Sequence, residues 1–188
     1  DVVLSVVAGA EDGRIFLAGN DGCLYEIFYQ AEEGWFSRKC RKINHSHSLL
    51  SYVTPAFLSF SENEPIVQIE IDNSRKLLYA RTEKSTLQLY DLGYDGSSLR
   101  QVTSKSLSAV VNQASCIART IDTSNFKPIV GIKALTKSES EDIHLIAVTQ
   151  AGVRLFFSAS GGDRPSSLDL VHVRLPPGFT PSSAVQRP

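Results

Sequence analysis

Apolar and polar positions along this chain form short runs divided by turn-forming residues, and the same arrangement recurs three times. Arg14–Gly19, Asn20–Gly22 and Cys23–Tyr29 read as strand, tight turn and strand. Leu77–Arg81, Thr82–Ser85 and Thr86–Tyr90 repeat the pattern, as do His144–Val148, Thr149–Gly152 and Val153–Phe157. The runs are rich in β-branched and aromatic residues, and Gly22 and Gly152 supply the positive φ that hairpin turns favour. A strand-like run precedes each hairpin: Val2–Val7, Ile66–Ile71 and Ile129–Leu135. Another follows each: Trp35–Ile43, Leu99–Thr103 and Leu168–Leu175. Four antiparallel strands, three times over, predict an all-β fold that is part of a β-propeller, with about three four-stranded blades. The blades are expected over about 1–45, 65–104 and 128–176, with insertions at 45–65 and 104–128 and a loop or disordered end at 181–188. A closed ring takes at least about four blades. The expectation is therefore a portion of a longer propeller, which the lack of any Met, an initiating one included, also suggests. A single irregular β-sandwich is the alternative.

Both insertions carry helical periodicity. In His45–Ser61, Leu49, Val53, Phe57 and Phe60 fall on one stripe and the opposite side is Ser, Thr and His. Apolar residues with an uncharged polar face suit insertion into curved, loosely packed lipid. The expected membrane-contact residues are Leu49, Leu50, Val53, Phe57, Leu58 and Phe60. Pro55 would break or kink a continuous helix there. The competing reading is a loop buried on its own propeller or on a partner. In the second insertion, Leu107, Val110, Val111, Ala114, Ile117, Ala118 and Ile121 recur at three- and four-residue steps, and Ser104, Ser106 or Ser108 is placed to cap the start. This predicts a partner or packing helix, with packing on the neighbouring blade the favoured form.

Composition narrows the functional classes. The net charge of −1 over 188 residues gives no basic face for nucleic acid. No apolar run reaches the 18 or so residues that span a bilayer, and the start lacks the pattern of a signal peptide. Three well-separated cysteines, Cys23, Cys40 and Cys116, suggest reduced thiols in the cytosol or nucleus. His45 and His47 with Cys40 lack a second ligand pair at zinc-site spacing, so no metal is expected. His144 and His172 read as ordinary surface or core residues. No nucleophile elbow, phosphate loop or zinc-protease helix occurs, so no catalytic residue, cofactor or small-molecule substrate is assigned. Glu62, Glu64, Glu139, Glu141 and Asp142 read as solvated loop residues. The basic run Arg38, Lys39, Arg41 and Lys42, beside Trp35 and Phe36, reads as a charged outer edge that resists aggregation, or as a contact to acidic lipid or a partner.

An ordered series of segments resembles a known family. It runs through Gly13–Gly19, Asp21–Glu26, Gly34–Ser37, Cys40–Ser46, Ile71–Arg75 and Tyr90–Gly93. It continues through Ile117–Asp122, Phe126–Val130, Ala151–Leu155 and Arg174–Phe179. The series is similar to the N-terminal propeller of the 155-kilodalton nucleoporin family, scaffolds of the inner ring of the nuclear pore complex. That family's propeller is seven-bladed and is followed by an α-solenoid, whose contacts do not carry over to this chain. The resemblance implies a structural scaffold at the nuclear envelope that supports pore assembly and nucleocytoplasmic transport of protein and mRNA. Its implied partners are other inner-ring nucleoporins, a transmembrane pore anchor and the curved pore membrane. Rival readings are a peptide-binding propeller of a vesicle-coat-like complex and a propeller hydrolase. The hydrolase would need polar residues on the innermost strands, which are mostly apolar apart from Glu70 and Lys133.

Overall fold

A computed structural model describes residues 2–29, 40–44, 64–94, 98–161 and 164–179. Twelve strands among these residues form three antiparallel four-stranded sheets, each built in chain order. The first contains β1 (Leu4–Gly9), β2 (Ile15–Gly19), β3 (Leu24–Tyr29) and β4 (Cys40–Asn44). The second contains β5 (Ile66–Asp72), β6 (Leu77–Thr82), β7 (Leu87–Asp91) and β8 (Arg100–Lys105). The third contains β9 (Ile129–Ala134), β10 (Leu145–Thr149), β11 (Arg154–Ser158) and β12 (Asp169–Arg174). Helix α1 (Leu107–Ile117) and a 3-10 turn at Thr123–Phe126 lie between the second and third sheets in sequence. The fold is all-β, three blades of a partial propeller with a helical insertion, as the hydrophobic pattern predicts.

Strand alternation explains how the blades stack. Successive side chains point to opposite faces of a sheet, so a strand covered on both faces needs apolar residues at consecutive positions. β6 meets this requirement. Leu78 and Ala80 join Phe16, Ala18 and Leu24 of the first blade, together with Ile66 and Ile69. Leu77 and Tyr79, on the other face, join Ile129, Ile132, Leu145, Leu155 and Phe157 of the third blade. In the outer blades one face is buried and the other is only partly covered by the described residues. On β10, Leu145, Ala147 and Thr149 are buried while Ile146 and Val148 are half-buried.

Two details differ from the sequence reading. The innermost strand of the first blade begins at Leu4, where Val2 was expected, and its register shifts between Leu4 and Val6. Val3 and Val7 are exposed because no described element covers that face of β1. The turn Thr82–Ser85 has no glycine, yet Ser85 adopts φ 68°. That position is held by side-chain bonding, because Ser85 Oγ donates to the Ile129 carbonyl at 3.2 Å and accepts from the Ile129 N–H at 3.1 Å.

The blades are also joined by polar contacts. The Gln68 amide accepts from the Ile132 N–H at 3.0 Å and donates to the Ile132 carbonyl at 2.7 Å, so a side chain pairs with β9 as a strand would. Lys133 donates to Glu70 at 2.9 Å, so these two charged residues of the innermost strands neutralise one another between blades.

Candidate interaction site

Topology sorts the connections onto two faces. The tight turns β2–β3, β6–β7 and β10–β11 share one face. Asn44, which ends β4, is paired with Tyr25 beside the first of these turns, and Ile66, which opens β5, is paired with Thr82 beside the second. The first insertion therefore leaves and re-enters on the turn face. The second does the same, because Lys105 at the end of β8 pairs with Leu87 and Ile129 pairs with Thr149.

The expected membrane-contact residues Leu49, Leu50, Val53, Phe57, Leu58 and Phe60 lie outside the described residues, as do His45, His47, Arg38 and Lys39. Arg41 and Lys42 fall on the outer strand β4. The second insertion is described throughout. Ser106 caps α1, its hydroxyl accepting from the Ala109 N–H at 3.3 Å. Val110 and Ala114 are fully buried, Leu107 and Val111 are partly buried against the same core, and the helix packs on β12 and the 3-10 turn. Lys105, at the end of β8, ties α1 to β12, donating to Gln113 of α1 at 2.9 Å and to Asp169 of β12 at 3.4 Å. Two members of the expected helical stripe depart from it. Ile117 is 44% exposed, and Ile121 is buried but lies beyond the helix. The backbone leaves helical geometry at Ala118, so the following turn carries Ile121 into the core where a continued helix would not.

The opposite face carries a cleft. Connections β5–β6 and β7–β8 of the second blade meet β9–β10 and β11–β12 of the third around a cavity of about 570 Å³. Arg75, Lys76, Lys137, Arg164, His144 and Tyr94 contribute to its lining, and none of the described residues that line it is Asp or Glu.

Two of these cations are built into the fold. Arg75 pairs with fully buried Asp72 at 2.8 Å and crosses to the third blade, donating to the carbonyls of Leu135 at 3.0 Å, Ser140, and Glu141 at 3.1 Å. Arg14 repeats the device one blade earlier. It pairs with Glu26 at 2.6 Å and donates to the Ser98 carbonyl of the second blade at 3.0 Å. Arg164 is ion-paired with Asp91 and stacks its guanidinium 3.9 Å from the centre of the exposed Tyr94 ring.

Lys76 is paired with Asp12 at 3.9 Å, and Lys137 is exposed. His144 is held below its ordinary imidazole range by burial and then by Arg75, partly offset by the Asp142 carbonyl and by Asp72 and Asp142. The exposed side chains of Glu141 and Asp142 belong to the same β9–β10 connection but do not line the cavity. Sequence reading missed this cleft because its residues come from four separate connections. The adjacent Arg75 and Lys76 after the Asp72 turn were its one local signal. Among the described residues, no group of His, Cys, Asp and Glu is placed to hold a metal.

The sequence model of the family described as Nup133 N terminal like matches residues 1–188. The chain belongs to this nucleoporin family. It is 41% identical over its whole length to nuclear pore complex protein Nup154 of Drosophila melanogaster, spanning 16% of that protein. It is 35% identical to nucleoporin NUP170 of Chaetomium thermophilum, with 95% of this chain and 14% of that protein covered. Among solved structures, the Chaetomium thermophilum Nup170 NTD in complex with Nup53 matches with a TM-score of 0.80 and 33% identity over 97% of this chain and 26% of that one. Membership assigns the chain to the nuclear pore complex at the nuclear envelope.

Proposed function

We propose that this chain is a scaffold segment of the nuclear pore that binds other nucleoporins, with no catalytic role of its own. The observation that carries the reading is the match, over nearly the whole chain, to a Nup170 domain whose structure is a complex with Nup53. The two outer blade faces, apolar and half covered, support its being one part of a longer ring, with blades over about 1–45, 65–104 and 128–176. A Nup53-type nucleoporin is the first partner to test. Capture of this chain by the immobilised Nup53 counterpart of the same species supports the reading, and failure of the folded chain to bind overturns it.

Within this function, the first insertion holds the scaffold against the curved pore membrane, beside a transmembrane anchor. Its residues Leu49, Leu50, Val53, Phe57, Leu58 and Phe60 act by apolar insertion, weak in one copy and strengthened by many copies on one ring. Support comes from the helical stripe and from the emergence of both insertions on one face. Flotation with small and large neutral liposomes tests it. Binding to small vesicles that weakens on large ones and is lost in Leu49→Asp/Phe57→Asp is expected. No binding by the folded chain to either size overturns the membrane contact.

A further inference from the structure

We draw no further inference here: the strongest candidate, the exposed apolar patch of Val2, Val3, Leu4 and Val7 along the innermost strand of the first blade, carries nothing because nothing in the structure shows what covers it.

Discussion

Replacing Arg75 by Met removes one of the polar contacts that join the second blade to the third while keeping much of the side chain's apolar length. Arg75 is 13% exposed and Asp72 is wholly buried, so the change strands a carboxylate in the interior. Breaking a buried pair on one side costs about 3–5 kcal/mol. The low end applies, because Asp72 Oδ1 keeps its bonds from the Ser74 N–H at 3.0 Å, the Ser74 hydroxyl at 2.5 Å and the Arg75 N–H at 3.2 Å. About 3 kcal/mol in a chain of this size lowers the melting temperature by roughly 6–12 °C. Arg75→Lys should lose about half as much, since an ammonium keeps the charge but cannot span Asp72 and the third blade's carbonyls together. Calorimetry reads both variants. Because the contact crosses between blades, the Met variant should also show a broadened or split transition as the third blade uncouples. Melting within about 1 °C of wild type, in one sharp transition, would refute the account of Arg75 as an inter-blade clip.

Three further outcomes follow from named contacts. Tyr79→Phe should be neutral or stabilise by up to about 1 kcal/mol in urea unfolding, because the Tyr79 hydroxyl is buried without a hydrogen-bond partner among the described residues; destabilisation beyond 1 kcal/mol would show that the hydroxyl is bonded in solution. Gly19→Ala should cost at least about 1–3 kcal/mol in the same assay, since an added Cβ would sit 2.0 Å from the Val3 carbonyl oxygen and force β1 off β2; an unchanged midpoint would refute that close approach. His144 gives a pH dependence: its native proton affinity is depressed, so the unfolded chain protonates first as pH falls through about 6.5 and stability declines from there until the native imidazole titrates too. Melting curves between neutral and mildly acidic pH should show that decline in the wild type and a flatter slope in His144→Gln, and equal slopes would count against it.

The sheets were legible because each blade is local: its strands are consecutive, its turns short and its alternation visible within a few residues. The continuous apolar stretch Leu77–Ala80 marks the sandwiched strand of the middle blade. What lay beyond reach joins distant positions. Nothing around Gln68 announces that its amide completes the hydrogen bonding of Ile132, 64 residues away. Ser85 occupies a glycine-like conformation only because Ile129 holds its hydroxyl. Ile121 fits a helical stripe by spacing, yet tertiary packing draws it inward through a turn. The stripe at Leu49–Phe60 was legible as chemistry, but periodicity alone does not say which surface it meets. The cleft was hidden because its lining is assembled from four connections that lie far apart in sequence.

The sorting of connections onto two faces also sets a distance. Both insertions spring from one end of the strands and the cleft opens at the other, so the strands are the spacer between them. At about 3.3 Å per residue, strands of five to seven residues give a gap of roughly 16–23 Å. Arg14 and Arg75, each reaching into the next blade, hold the described blades to that common separation. Anything held on the turn face and anything held at the cleft would stand that far apart.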